Sequence, residues 1–212
     1  MPPTLFTIGH SNHSAEHFGE LLATFGITCV VDVRSTPMSA YNPQFNREPL
    51  AAFLKQRGIR YGHWAAEFGA RHTDPALLDA DGRVDFEKVR ASDAFRAGVE
   101  RLRRGLAQGH TISLMCSEAE PLDCHRFAMV AKYLAEQGFG VQHIRRDKTL
   151  VSNADLEDEL LKKYRKQLPQ PSLFEPAVAR QQQLDAAYRL RNQAIGWRAG
   201  QPESTDSELS HD

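Results

Sequence analysis

The sequence predicts an α/β fold, in which a mainly parallel sheet is flanked by helices in a Rossmann-like three-layer arrangement, with extra C-terminal helices. Short apolar runs alternate with segments of helical periodicity, and this alternation is typical of parallel sheets. Residues 27–31 form a run of β-branched and apolar residues, as in a strand that is buried on both faces. With 212 residues, the chain is long enough to form one domain with a substantial core.

The first elements lie at the N-terminal end. Residues 4–8 predict a strand, and Ser14 is a suitable N-cap for the helix that follows it. The apolar stripe of that helix consists of Phe18, Leu21, Leu22 and Phe25. Gly26 is a suitable residue to end the helix. Residues 27–33 then predict a second strand, whose apolar run is interrupted at Asp32.

The middle of the chain continues the alternation. Residues 49–58 predict a helix that ends at a glycine, and residues 59–61 predict a short third strand. Residues 73–85 are rich in turn-forming residues and predict irregular structure. Residues 86–108 predict one or two helices, because their apolar side chains recur at helical spacing.

Two further strands and a helix complete the predicted sheet. Residues 111–115 and 141–144 are apolar runs that predict strands. The helix between them is expected to begin at Pro121, since proline is favoured at the first helical position, and to end before Gly138. The order of the strands in the sheet does not follow from the sequence.

The C-terminal part of the chain departs from this alternation. Residues 155–166 predict a highly charged helix, and residues 176–195 predict a second helix after a proline-rich break. Residues 201–212 contain four acidic residues and no Lys or Arg, which predicts a disordered tail. We therefore divide the chain into an α/β domain (residues 1–150), a helical extension (residues 151–200) and this tail.

The composition excludes several classes of protein. A formal net charge of -1 gives no overall attraction to nucleic acid or to an anionic membrane. No apolar stretch reaches the length of a membrane span, and the first six residues lack the features of a signal peptide. Three cysteines do not make a disulfide scaffold and suit a reducing compartment. We expect a cytoplasmic protein with no membrane partner.

Polar clusters follow three of the predicted strands. The first two clusters are Gly9, His10, Ser11 and Asn12, followed by Asp32 and Arg34. The third begins at Cys116. Because the carboxyl ends of parallel strands share one edge of a sheet, we expect the clusters to meet there. The side chains expected to line one cleft are those of His10, Asp32, Cys116 and Arg126.

The first two clusters admit a structural and a binding interpretation. Gly9 could simply allow a tight turn, but the exposed amides of such a loop also bind anions. The loop is not a dinucleotide fingerprint, because two of the required glycines are missing. Asp32 could form a structural ion pair with Arg34, or it could orient a catalytic group while Arg34 binds an anionic substrate.

The third cluster holds the candidate catalytic residues, which are Cys116, Glu118, Cys124, His125 and Arg126. Cys116 precedes the predicted helix, whose dipole and a nearby arginine would lower the pKa of the thiol, so Cys116 is the best candidate for a nucleophile. Glu118 could act as an acid or a base. We expect His125 and Arg126 to reach the rim, whereas Cys124 lies on the apolar face of the predicted helix and could be an inert core residue.

A metal site and a disulfide are alternative uses of these residues. Adjacent residues on one helix point about 100° apart, so Cys124 and His125 are expected to chelate one ion poorly. The spacing of the two cysteines also differs from that of structural zinc sites and from the redox C-x-x-C motif, although it permits a reversible disulfide. We therefore expect no bound metal and no cofactor.

Several motifs resemble a known family. They are residues 7–12, Asp32 to Arg34 with Pro37 and Ser39, residues 44–46, Tyr61 before Gly69, and Cys116 and Glu118 with residues 124–126. In this order they resemble the bacterial and archaeal family known as domain of unknown function 488, over residues 4–144, and residues 187–196 resemble its common C-terminal extension. The resemblance implies an α/β domain without a settled activity and a Cys, Glu and Cys-His-Arg motif suspected of catalysis.

Two classes of function agree with these features. The first is an enzyme, a cysteine-dependent hydrolase or transferase, that acts on a small anionic or nucleotide-like substrate. The second is a binding protein for nucleotides or nucleic acid, because the C-terminal helices carry an excess of Lys and Arg that could hold phosphates. The same two helices could instead cap the sheet or form the interface of a homodimer.

Overall fold

The computed structural model describes residues 3–170 and 178–198. The predicted α/β fold is confirmed, because a six-stranded sheet with the order β3-β2-β4-β1-β5-β6 lies between helices. The strands are β1 (Thr4–Gly9), β2 (Cys29–Asp32), β3 (Arg60–His63), β4 (Ile112–Cys116), β5 (Gly140–Ile144) and β6 (Leu150–Ser152). The first five strands are parallel, and only β6 pairs in the antiparallel direction, with β5.

Eight α-helices are described in the part of the chain that the structure covers. They are α1 (Ala15–Thr24), α2 (Arg47–Gln56), α3 (Ala65–Phe68), α4 (Phe86–Ala91), α5 (Asp93–Ala107), α6 (Lys132–Glu136), α7 (Asn153–Tyr164) and α8 (Arg180–Ile195). The segment predicted as one or two helices is divided at Ser92, whose side chain caps α5 by accepting a hydrogen bond from Phe95 N. The predicted start of α8 at residue 176 and the predicted tail at residues 201–212 lie outside the described residues.

The sheet is buried on both faces. On one face, α1 and α2 cover the side chains of alternate strand residues, in a core that includes Ile8, Phe18, Leu21, Leu22, Val30, Leu50, Leu54, Met115 and Ile144. On the other face, side chains of the strands and of α5, α7 and α8 form a second core. It includes Leu5, Val31, Phe95, Val99, Leu102, Leu114, Val141, Leu156, Leu160 and Ala187. Burial of one such side chain contributes about 1.5–3 kcal/mol, so these two layers are the main source of stability.

Strand β2 lies inside the sheet, between β3 and β4, as its apolar run predicts. Val30 and Val31 are fully buried on opposite faces. Strand β6 and helix α3 were not predicted, because three or four residues are too few to show a periodic pattern. A tight turn with Lys148 at a φ of 66° returns the chain from β5 to β6.

The two C-terminal helices pack against the α/β core. A capping box between Ser152 and Asp155 begins α7. Tyr188 of α8 donates a hydrogen bond to Glu157 of α7, at 3.1 Å, and Arg191 of α8 donates one to the carbonyl of Leu122 at 2.6 Å. These bonds bring the end of α8 to the loop that follows β4. Among the described residues, no helix has the length and apolar character needed to cross a membrane.

His143 makes the fold sensitive to acid. Its ring is fully buried on β5 between Thr7 Oγ1, at 2.8 Å, and Asn153 Oδ1, at 3.4 Å. Burial, assisted by the nearby charge of Arg126, lowers the pKa of His143 to about 3. The unfolded chain therefore binds a proton at His143 below pH 6.5, whereas the folded chain does not, and stability is lost as the pH falls from 6.5 towards 3.

We expect the free energy of unfolding to fall by about 2 to 3 kcal/mol between pH 7 and pH 4.5 because of this histidine, since one pKa unit corresponds to about 1.4 kcal/mol. The His143→Gln variant keeps an amide between Thr7 and Asn153 and should flatten this loss. Urea unfolding at several pH values measures it, and His110→Gln, in the loop before β4, is the control. An unchanged pH profile in His143→Gln would contradict the assignment.

Candidate functional site

The loops after β1 and β4 lie side by side at the carboxyl edge of the sheet. The pairing of the two strands continues into them, because His10 N donates to Cys116 O at 2.9 Å and Ser11 N donates to Ser117 O at 2.8 Å. The helix after β1 packs on one face of the sheet, and the helical segment after β4 packs on the other. Such a switch point between neighbouring strands is where ligands bind in open α/β sheets.

Gly9 allows the close approach of these loops. A Cβ atom at this position would overlap the carbonyl group of Glu118. The glycine is therefore required by the approach of another backbone, and its role at the start of the loop is structural. This close contact also fixes the distance between the backbone of Glu118 and the end of β1.

Asp32 and Arg34 form a buried ion pair behind the site. Arg34 Nη2 lies 2.7 Å from Asp32 Oδ2, and Arg34 Nε donates to Asp32 Oδ1 at 2.9 Å. Tyr61 donates a hydrogen bond to Asp32 Oδ2 at 2.7 Å, and Phe45 O accepts one from Arg34 Nη2 at 2.8 Å. Both charged side chains are almost fully buried, so each depends on the other for its stability.

His10 is held by this ion pair as a neutral ring. Its Nδ1 donates to Ser11 O at 2.8 Å, which leaves Nε2 to accept from Arg34 Nη1 at 3.0 Å. Burial and the adjacent Arg34 charge lower the pKa of His10 to about 4. Of the five N–H groups of Arg34, four have partners among the described residues, which leaves one on Nη1, and Arg34 is also one of the residues that line a cavity.

Two cysteines, a histidine and a glutamate form a compact cluster at the end of β4. Cys116 Sγ donates to Glu118 Oε2 at 2.9 Å. His125 Nδ1 lies 3.7 Å from Cys116 Sγ and 3.8 Å from Cys124 Sγ. The other ring nitrogen of His125 lies 3.2 Å from Val33 O, so the ring is fixed between the ends of β2 and β4. These contacts place both sulfur atoms against the same imidazole.

The backbone around Cys124 differs from the predicted helix. A short 3₁₀ turn at Pro121–Asp123 ends at Cys124, which is extended with a φ of -128° and a ψ of 144°. A π-helical segment, Arg126–Ala131, follows and continues into α6. The prediction that Cys124 lies on an apolar helix face is therefore wrong: the residue is buried, but its sulfur faces Cys116 and His125. Single π-helical turns often occur at functional sites.

Arg126 is wholly buried, so the prediction that it reaches the rim is also wrong. Its Nη1 donates to Glu118 O at 2.6 Å and its Nη2 donates to Ala119 O at 2.9 Å. The π-helical turn directs the guanidinium group inward, beneath the loop that follows β4. Arg126 therefore acts as a positioning residue that holds this loop and brings a positive charge near the cysteines.

The pKa values of the two cysteines shift in opposite directions, and the shift of Cys116 is opposite to the expected one. Burial, followed by the adjacent Cys124, raises the pKa of Cys116 well above its ordinary value. Burial opposes ionisation of Cys124 as well, but the adjacent Cys116 and the charges of Arg126 and His125 lower its pKa well below the ordinary value. The expected low pKa of Cys116 is wrong because no helix N-terminus follows it directly and because a second thiol competes for the negative charge.

Glu118 and His125 have shifted proton affinities as well. Burial, followed by the charge of Cys124, raises the pKa of Glu118 to about 7. Burial would lower the pKa of His125, but the charge and hydrogen bond of Cys124 outweigh it and raise that pKa. Groups that exchange protons near neutral pH are suited to acid–base chemistry. The cluster therefore places a carboxyl group that titrates near neutral pH beside the Cys116 thiol.

A cavity of about 320 Å³ opens onto this cluster. Its wall includes the following predicted site residues: Arg34, Cys116, Glu118 and His125. It also includes Thr36, Arg71 and residues 194–197 at the end of α8, which the sequence reasoning missed. For residues 194–196, the signal in the sequence is the resemblance of residues 187–196 to a family extension.

The other predicted residues lie at the same edge of the sheet but not on this cavity. His10, Asp32, Cys124 and Arg126 are buried and do not line this cavity, so of the four side chains expected to line one cleft only Cys116 does. Asn12 lies on a different cavity, of about 730 Å³, together with His13 and Arg145. The two cavities are separated by the loop after β4, because each is lined by different residues of that loop.

The cluster has the composition of a metal-binding site. One ligand atom each from Cys116, Cys124 and His125 lies within 4.8 Å of the other two. The sequence argument against chelation assumed that Cys124 and His125 project from one regular helix. Because Cys124 has extended backbone angles, that argument does not hold.

Comparison with known proteins gives one match. The family model described as "Domain of unknown function DUF488" matches residues 14–134, which contain Arg34 and the whole cluster from Cys116 to Arg126. No curated protein and no solved structure matches the chain.

Proposed function

Since the chain belongs to the DUF488 family, whose description assigns no activity, we propose from its site that it is an enzyme using a cysteine nucleophile on a small anionic, nucleotide-like substrate. The main support is the position of Cys116. Cys116 is one of the residues that line the 320 Å³ cavity, and both Glu118 and His125 are within reach of its sulfur atom. A nucleophile with a base beside it and a cavity in front of it is the arrangement that covalent catalysis requires.

The cavity wall favours an anionic substrate. Arg34 has one N–H group left for a ligand, and Arg71 lies on the same wall. A guanidinium N–H forms a charge-assisted hydrogen bond with a carboxylate or phosphate oxygen, and Arg34 can donate one such bond. Because Asp32 and His10 hold the Arg34 side chain in place, an anion that it binds would take a defined position relative to Cys116.

The contacts suggest an order of events. As the Cys116 sulfur bonds to the electrophilic atom of the substrate, its proton passes to Glu118, which accepts its hydrogen bond in the resting state. Glu118 then gives the proton to the leaving group as the bond to that group breaks. The covalent intermediate is released by water in a hydrolase, or by a second acceptor in a transferase. The positive charges of His125 and Arg126 stabilise the negative charge that develops on sulfur as its proton leaves and again as the intermediate is released.

The alternative is a binding protein for nucleotides or nucleic acid. The sequence favoured this alternative because the C-terminal helices carry an excess of Lys and Arg. In the fold, several of these basic side chains are paired with acids: Lys163 with Asp123, Arg180 with Asp158, Arg189 with Glu87 and Arg191 with Asp123. This pairing reduces the positive potential available to phosphates, so we favour the enzyme.

Alkylation by iodoacetamide tests the proposed nucleophile. At neutral pH we expect Cys116 to react at least tenfold faster than Cys29, which is half-buried on β2, because only Cys116 has a base within hydrogen-bonding distance. The Glu118→Gln variant removes that base and should slow labelling of Cys116 about tenfold. Peptide mass spectrometry over a time course measures both rates, and labelling of Cys29 serves as the internal control.

The same labelling assay tests the proposed class of substrate through protection of Cys116. A nucleotide-like anion that fills the cavity is expected to protect Cys116 and to leave the labelling of Cys29 unchanged. If Cys29 reacts first while Cys116 remains unmodified in the folded metal-free protein, the nucleophile is excluded and the protein is better described as a binding domain.

A further inference from the structure

We propose that Cys116, Cys124 and His125 bind one thiophilic divalent cation of the Zn²⁺ class, and that the bound cation blocks the sulfur chemistry proposed above. The metal site goes beyond the proposed function, because it depends only on the positions of the ligand atoms, whereas its effect on sulfur chemistry rests on the proposed function. The two sulfur atoms and His125 Nδ1 all lie within 4.8 Å of one another. They come from two loop segments that meet only in the folded chain, Cys116 at the end of β4 and the other two after the 3₁₀ turn.

The spacing of the ligand atoms agrees with tetrahedral zinc. With Zn–S bonds of about 2.3 Å and Zn–N bonds of about 2.0–2.1 Å, sulfur and nitrogen ligands lie about 3.5–3.6 Å apart. The distances from His125 Nδ1 to the two sulfur atoms are 3.7 Å and 3.8 Å. The two sulfur atoms lie within 4.8 Å of each other, against about 3.8 Å on a tetrahedral ion with the same Zn–S bonds. The nitrogen would therefore move by a few tenths of an ångström, and the sulfur atoms would approach each other by up to about 1 Å.

The surroundings of the ligands also fit a metal site. His125 Nε2 lies 3.2 Å from Val33 O, and this bond directs the lone pair of Nδ1 towards the sulfur atoms. Metal-binding histidines usually donate their second nitrogen to a carbonyl or a carboxylate in this way. The backbone N–H of Arg126 donates to Cys124 Sγ at 3.4 Å, which supports a negative charge on that sulfur.

The fourth position of the ion would face the cavity. Cys116, Glu118 and His125 all lie on the cavity wall, so water or the Glu118 carboxylate could complete the coordination. Three protein ligands with one open position are typical of accessible zinc sites, whereas structural zinc sites have four protein ligands. Two thiolates and an imidazole select soft cations over Mg²⁺ and Ca²⁺.

Occupancy by a cation and attack by sulfur exclude each other. The ion would use the electron pair of Cys116 that forms the bond to substrate, and any proton on either thiol would be released on binding. A filled site would thus be inactive towards electrophiles. Removal of the ion by a chelator would restore the thiol.

Cobalt titration of the full chain, after removal of metal with a chelator, tests the site. We expect one equivalent of Co²⁺ to give the near-ultraviolet charge-transfer band of cobalt thiolate and the visible bands of tetrahedral cobalt, and Zn²⁺ to abolish both. Cys116→Ser, Cys124→Ser and His125→Gln should each weaken binding at least tenfold, while Cys29→Ser should bind as the unmodified chain does. Far-ultraviolet circular dichroism checks that each variant is folded.

A second measurement needs no variant. Zn²⁺ is expected to protect Cys116 from iodoacetamide at least tenfold, and a chelator to restore its labelling, while Cys29 is unaffected. The metal site would be overturned if the thiolate band were absent, or if Cys116→Ser and Cys124→Ser bound cobalt as tightly as the unmodified chain does. Neither result bears on the nucleophile, which is tested by the labelling rate of the metal-free chain, so the two proposals can fail separately.

Discussion

The Asp32→Asn variant is expected to lose about 3 to 5 kcal/mol of unfolding free energy, the usual cost of removing one partner from a buried ion pair. Asp32 is completely buried, and Arg34 is about 5% exposed. The substitution keeps the shape of the side chain but removes its negative charge. Arg34 would then remain buried with only neutral partners, His10 and the carbonyl of Phe45.

Urea unfolding at pH 7 measures this loss. Tyr61→Phe is the matched control, because it removes one hydrogen bond to Asp32 and leaves the ion pair intact, so it should cost only about 1 kcal/mol. The Asp32→Asn variant should also bind anions more weakly, since Arg34 would lose its fixed position beside the cavity. A loss no larger than that of Tyr61→Phe would show that the ion pair is not essential to the fold.

The Gly9→Ala variant is expected to lose about 3 kcal/mol, at the upper end of the usual cost of overpacking. The added methyl group would overlap the carbonyl of Glu118, and both groups belong to backbone that is held by hydrogen bonds. To relieve the overlap, the loop after β4 must move away from β1. Such a movement would also separate Glu118 from Cys116 and slow the labelling of Cys116.

Gly140→Ala is the control for this variant. Gly140 also lies in a strand, but a Cβ atom there would have its nearest neighbour, Thr4 Oγ1, at 3.7 Å. Its unfolding free energy should be unchanged or raised by up to about 1 kcal/mol, because alanine is less flexible than glycine in the unfolded chain. Equal stability of the two variants would mean that the loops after β1 and β4 can separate freely.

The fold could be predicted from the sequence because its strands are buried on both faces. The apolar run around Val30 and Val31 has no polar side to place in water, so it can only lie inside a sheet covered by two layers of helices. The carboxyl edge followed from the same reasoning, since polar residues come directly after these runs. Strand β6 was missed because three residues cannot show a period, and its pairing depends on the turn before it.

The residue types of the site also follow from the sequence, but their orientations do not. Arg126 was expected at the rim because a regular helix was assumed after Pro121. The structure has a 3₁₀ turn, an extended Cys124 and a π-helical segment instead. Each change of helical type rotates the following side chains, so a small difference in backbone angles moves Arg126 from the surface to the interior.

What the sequence determined by itself is therefore the layered α/β fold, the carboxyl edge of the sheet as the place where the polar clusters meet, and the presence of Cys116, Glu118, Cys124 and His125 near that edge. The tertiary structure alone decided that Cys116 lies on the cavity wall, that the pKa values of the two thiols shift in opposite directions and that the end of α8 forms part of the wall. The periodicity of a segment indicates which of its residues are buried, because burial on one face is a property of that segment. Distances between segments depend on how those segments pack, and the pKa of each cysteine depends on all the groups around it.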